Sequence, residues 1–264
     1  MFVVAIAELA GRLEDEATAL AADLGASAYD ARMLLASGLP AVVRTTGDMA
    51  QALDLLARLR ARGHGAVACD AASVVASGAM VAMRRFRLGP AAVALEDRPG
   101  EVLPYDDVLA IVAAVHRTRA QTETSVSEKK LSIARAVVTS GLSMTKTVRK
   151  ESHAATDERD NVLYLFRRSG APPWLLREGG VVDWSGHGQP LAASRLENFR
   201  LTVGALREKA PGATFDDRLV TRKVQERASL AVGAGSKSIT SSSDASVDLL
   251  AHLLALWIAR SAYR

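Results

Sequence analysis

PAVVRTTGDMAQALDLLARLRARGHGAVACD, residues 40–70, decides the fold class of this chain. Pro40 opens a β-branched run, Ala41-Val42-Val43, at the one strand position that tolerates a missing N–H. Asp48 is placed to cap a helix, because its carboxylate can accept bonds from the first free backbone N–H groups. Ala52, Leu55, Leu56 and Leu59 recur at helical spacing, and Gly63 closes the helix. Ala66-Val67-Ala68-Cys69 is the strand that follows. Upstream, Ser27 is an N-cap before Ala31, Leu34 and Leu35, with Gly38 at the far end. Leu13, Ala17, Leu20 and Leu24 share one face of an earlier helix that Gly25 stops, and Phe2 to Ile6 is a β-prone run. The order over residues 1–72 is β-α-α-β-α-β. Caps, periods and stops agree with one another, so this part is expected to fold alone.

Several pieces of this region carry a resemblance. They are Leu24-Gly25, Tyr29-Asp30-Ala31-Arg32 with Leu34-Leu35, Leu39-Pro40-Ala41-Val42-Val43, Leu59, and Arg62-Gly63-His64-Gly65-Ala66-Val67. Together they resemble the C-terminal domain of the ribosomal stalk protein and the related ClpS-like adaptor fold. The resemblance implies an adaptor-like α+β domain at 1–72. The stalk family docks translation factors through basic helix positions, and only Arg32 clearly suggests one here, so no binding site carries over.

Beyond residue 72 the pattern changes. Ala71 to Ala79 is small and apolar and reads as a connection. Val81, Met83, Phe86 and Leu88 alternate with Arg84, Arg85 and Arg87, and Gly89-Pro90 and Asp97-Arg98-Pro99-Gly100 turn the chain. Closely spaced strands with such turns indicate an antiparallel meander. The line LEDRPGEVLPYDDVLAIV, residues 95–112, resembles small bacterial pleckstrin-homology-like barrels. A β-rich, barrel-like domain is therefore expected over 79–232. Within it, Arg117 to Lys130 reads as a strand end plus loop, Leu131 to Ser140 as a short helix, and Glu151 to Asp160 as an exposed loop. Asn161 to Phe166 is a buried strand, and Arg195 to Ala210 a long amphipathic helix. Val220 to Val232 fits either strand or helix. Residues 233–246, rich in Gly and Ser, read as a flexible linker. A C-terminal helix follows over 247–264. Its Leu250, Leu253, Leu254, Trp257 and Ile258 lie along one side, widened by Leu249 and Leu256, so it must dock on something. The fold class is α+β.

Composition narrows the function classes. The net charge of +4 and pI of about 9.4 invite a nucleic-acid reading. Arg greatly outnumbers Lys and Ala is abundant, as a GC-rich coding sequence dictates, and +4 over 264 residues is a weak field. No run of stacking aromatics is present, so nucleic acid is not the expected partner. A lone Cys69 forms no internal disulfide and fits a reducing compartment. Residues 1–8 lack the basic start of a signal peptide. The apolar run Leu249 to Ala259, interrupted by His252, is too short to cross a bilayer. No transmembrane segment and a cytoplasmic location are expected.

The motifs that suggest chemistry are incomplete. Gly233-Ala234-Gly235-Ser236-Lys237-Ser238 lacks the glycines that a phosphate-binding loop needs before and around its Lys. Asp183-Trp184-Ser185-Gly186-His187-Gly188 groups a hydroxyl, an imidazole and a carboxylate, without the strained elbow that activates a nucleophile. His153 and Asp157 have the spacing of a metal pair but no third ligand. Arg84, Arg85, Arg87, Arg117, Arg119, Arg167 and Arg168, with Lys129-Lys130 and Lys146-Arg149-Lys150, form a candidate binding face if their strands are neighbours. No catalytic, metal or cofactor-binding residue is assigned, and no cofactor is implied. The expected function is non-enzymatic, regulatory or scaffolding, through binding an unknown protein partner. The alternatives are a nucleic-acid or anionic-surface binder using the arginines, and a small-molecule enzyme with a site assembled from distant residues. Oligomeric state is not written in the sequence.

Overall fold

The computed structural model describes residues 1–131, 145–222, 224, 226–233 and 236–262. It is an α+β protein. The chain forms two compact units, one of residues 1–116, 160–225 and 244–264, the other of residues 117–159 and 226–243.

The larger unit begins with β1 (Phe2–Glu8), α1 (Leu13–Leu24), α2 (Ala28–Ala36), β2 (Ala41–Thr46), α3 (Met49–Ala61) and β3 (Gly65–Asp70). The local signals act as the sequence predicts. Gly25 takes the left-handed conformation at φ 63°, where a side chain would be strained, and its N–H turns back onto the end of α1. The Ser27 hydroxyl accepts the Asp30 N–H, and Asp48 accepts the Ala50 and Gln51 N–H groups. The three strands form an antiparallel sheet in the order β2-β1-β3. Successive side chains of a strand point to opposite faces. Val4 and Ile6 meet Leu20, Leu55 and Leu59 of the helices, whereas Val3 and Ala5 join a different core on the other face.

That other face is covered by α6 (Asp244–Ala262), the last helix. On its opposite side α6 meets a second sheet, built in this unit from β4 (Val81–Ala82), β10 (Trp174–Arg177), β11 (Thr214–Asp217) and the unit's portions of β8 (Val108–Leu131) and β9 (Thr145–Arg167). Val162, Tyr164 and Phe166 of β9 face α6, and Leu163 and Leu165 face away. The far side is closed by the antiparallel meander β5 (Phe86–Leu88), β6 (Ala92–Leu95) and β7 (Val102–Pro104), and by α4 (Arg195–Lys209). Helix α6 therefore lies between two sheets. Val247, Ala251, Leu253 and Leu254 are fully buried, which explains apolar positions spread over more than one stripe. Residues 1–72 share a core with α6 and the second sheet, so the compact units do not divide at residue 72.

The smaller unit is β-stranded. The outer part of β8 pairs antiparallel with β13 (Ser236–Ser242), from Thr118↔Ser242 to Thr124↔Ser236, and β13 pairs with β12 (Arg227–Gly233). Arg119 sits 3.4 Å from Asp157 and 3.6 Å from Glu226, and Glu226 accepts the Ser241 hydroxyl.

Several expectations need correction. The sheets are open and form no barrel. Residues 236–242, expected in a linker, are strand β13, because β8 and β12 supply backbone partners on either side. The C-terminal helix starts at Asp244 rather than 247 and is described to Ala262. Arg117 to Lys130, expected as a strand end plus loop, and Glu151 to Asp160, expected as an exposed loop, are strand. The ambiguous 220–232 stretch ends a helical turn, α5 (Arg218–Thr221), and then forms β12. The helix expected over Leu131–Ser140 lies, after Leu131, outside the described residues. Among the described helices, Asp244–Ala262 alone is long and apolar enough to cross a membrane. In this fold it is the middle of the core.

Candidate functional site

Four chemistry-bearing side chains from distant parts of the chain meet on the inner face of α6. Asp248 is 3% exposed, His116 of β8 is 1% exposed and Tyr164 of β9 is fully buried. Ser77 comes from a single 3-10 turn, Ser77–Ala79, in the segment that leaves β3. The Tyr164 hydroxyl donates to Asp248 Oδ1 at 2.7 Å and lies 2.7 Å from His116 Nε2. Its one proton is spent on the carboxylate, so it accepts from the His116 Nε2–H. The Ser77 N–H donates to Asp248 Oδ2 at 2.8 Å, and the Ser77 hydroxyl donates to Oδ1. The carboxylate thus accepts three bonds, which is what a charge this deeply buried requires.

The electrostatics follow from burial. Burial lowers the His116 pKa, and the nearby carboxylates of Asp244, 3.5 Å from Nδ1, and Asp248 only partly oppose it. Burial also raises the Tyr164 pKa well above its ordinary value, reinforced by the Asp248 charge. Arg177 closes the group on the outside, bonded to Asp160 at 2.7 Å and 4.0 Å from Asp244. Burial is the largest influence and disfavours its charge, but the Asp160 bond together with the charges of Asp160 and Asp244 raises its pKa.

This relay adjoins an open space. Ring contacts lead from His116 to Tyr164 (6.1 Å), to Phe166 (6.0 Å, stacked) and to His252 (6.3 Å, edge-on). Phe166 and His252 line a cavity of about 350 Å³. Its walls are otherwise Val75, Leu109, Ala255, Leu256, Ala259 and the Pro172-Pro173 turn, with Ser73, Arg167 and Arg168 as the remaining polar side chains. The size lies within the range of small-ligand pockets, roughly 300–1,000 Å³. Burial lowers the His252 pKa, and no charged neighbour contributes to the shift.

The arginine face is divided. Arg117 and Arg119 belong to the smaller unit, and the other five to the larger one. Arg87 is bonded to Glu96 and Arg119 to Asp157, and Arg167 donates to Asp107 at 2.7 Å. Arg84 and Arg85 are exposed beside the meander, Arg85 bridging to Asp183 through the backbone. Of the seven, Arg167 and Arg168 reach the cavity.

The incomplete motifs resolve into structure. The Ser185 hydroxyl donates to Asp183 at 2.7 Å, whereas His187 Nδ1 accepts the Gln189 N–H, so Ser185 and His187 do not meet. Gly186 is required because a Cβ there would lie 1.5 Å from the Phe86 carbonyl oxygen. His153 and Asp157 lie four residues apart on one strand, a span of about 13 Å, rather than one helical turn apart. Among the described residues no group of three or more His, Cys, Asp or Glu could hold a metal ion. Cys69 is half-buried, and burial raises its pKa.

Sequence reading missed Ser77, Tyr164, Asp248 and the cavity. A signal was present, since Asp248, His252 and Tyr164 are polar intruders in apolar runs and a buried polar group must find a partner. Compared with protein-family models, curated proteins and solved structures, the chain finds no match.

Proposed function

We propose that the protein is a non-enzymatic binding protein in a regulatory role, and that it binds a small, largely apolar ligand in the cavity beside α6. The observation that carries this is the cavity itself, about 350 Å³ of space walled mostly by aliphatic and proline side chains next to a buried polar relay. Binding is favoured over catalysis because the cavity wall presents His252 with no Asp or Glu beside it in the lining to orient or charge it. The Tyr164, Asp248 and Ser77 groups spend their polar atoms on one another. Calorimetric titration with 1-octanol tests the reading. The expected result is saturable one-to-one binding that disappears in Ala259→Trp and in Ala171→Trp, because both alanines line the cavity and a Trp at either takes up its space. Equal binding to the wild type and to both filled variants refutes it.

A second reading has its own observation. Tyr29 and Met33 lie one helical turn apart on α2 and Met49 and Leu53 likewise on α3, and all four are more than half exposed. Such residues suit a protein partner docking on residues 1–72. Loss of a captured partner on Tyr29→Asp with Met33→Asp, with melting unchanged, would support this reading.

A further inference from the structure

Every ionisable side chain lining the cavity beside α6 is basic: Arg167, Arg168 and His252 line it, and no Asp or Glu does. The three are not equivalent. Arg167 is neutralised by Asp107, which lies 2.7 Å away. His252 sits deeper, packed edge-on against Phe166. Arg168 is exposed at the rim and donates through one nitrogen, Nη2, to the Gly212 carbonyl at 2.6 Å, which holds the guanidinium without cancelling its charge. The wall between Arg168 and α6 is aliphatic, and Pro172 and Pro173 offer no N–H to a polar ligand.

A cavity of 350 Å³ holds about twelve waters' worth of liquid volume, which matches a ligand of about ten non-hydrogen atoms. We propose that this cavity takes the anion of a medium-chain aliphatic carboxylic acid, with the alkyl tail along Phe166 and Leu256 and the carboxylate on Arg168. Guanidinium and carboxylate match as planar, charge-assisted hydrogen-bonding partners, and the rim position lets the ion pair form without full desolvation of either charge. The inference rests on the ligand reading above and adds the head group and the residue that selects it.

Three probes of equal carbon number separate head group from tail: octanoate, 1-octanol and octylammonium. Calorimetry on the full chain is expected to rank them octanoate, octanol, octylammonium. Arg168→Glu is expected to weaken octanoate at least tenfold and leave octanol unchanged. Arg168→Lys, which keeps the charge, is expected to retain most of the octanoate affinity, and a melting curve for each variant checks that the loop is intact. Rising salt should weaken octanoate alone. If octanoate and octanol bind equally and Arg168→Glu leaves that unchanged, the acid assignment is overturned while the ligand reading stands. If none of the three binds, the ligand reading falls and takes this inference with it.

Discussion

Replacing Tyr164 by Phe removes one oxygen from the centre of the relay and changes little else. The ring is fully buried and stays packed between His116 and Phe166. Two bonds vanish, the one donated to Asp248 at 2.7 Å and the one accepted from His116. A hydrogen bond to a charged group is worth about 1.5–3 kcal/mol, and leaving the His116 N–H without a partner costs about 1–3 kcal/mol more. Asp248 keeps both bonds from Ser77, which limits the loss. The expected cost is about 3 kcal/mol, or a fall in Tm of about 6–12 °C for a protein of this size. Urea unfolding followed by circular dichroism measures it, with Ser77→Ala and the double variant alongside. Tyr164 and Ser77 donate to the same carboxylate oxygen, so their effects should not add. A Tyr164→Phe protein within about 0.5 kcal/mol of wild type would show that the relay is not a source of stability.

Two further outcomes follow from the same geometry. A fragment of residues 1–72 leaves Val3, Ala5 and Val67 uncovered, so it is expected to aggregate or melt without a cooperative transition. This is the reverse of the expectation from local sequence signals, and a sharp reversible transition in calorimetry would contradict it. Burial lowers the pKa values of His64, His116 and His252 from 6.5, so folding favours the neutral form of each. The unfolded chain binds more protons once pH drops below that value, so their stabilisation is complete above 6.5 and is lost as pH falls through the folded pKa values. Urea midpoints measured between about pH 8 and 5 should be level at first and then decline, and a constant or rising midpoint on acidification opposes this.

What could be read from the sequence divides by distance along the chain. Ser27, Asp48, Gly25 and Gly63 act on neighbours within a few residues, so the N-terminal helices and strands were legible. The polar strands were not. Thr118 to Thr124 and Ser236 to Ser242 lack apolar alternation, and each is a strand because the other supplies its backbone partners more than a hundred residues away. The relay was hidden for the same reason, since Ser77 and Asp248 are 171 residues apart. Arg168 was visible as a basic residue, but its place at the rim depends on the fold of the β9–β10 turn.

The position of α6 between two sheets sets a timetable for synthesis. Residues 2–8 form the middle strand of their sheet, and half of that strand's apolar surface is covered by residues 244–262. At about 5–20 residues per second, a ribosome reaches α6 some 12–50 s after β1 has emerged. During that interval Val3, Ala5 and Val67 lack the helix that covers them, and this is when a chaperone has most to shield.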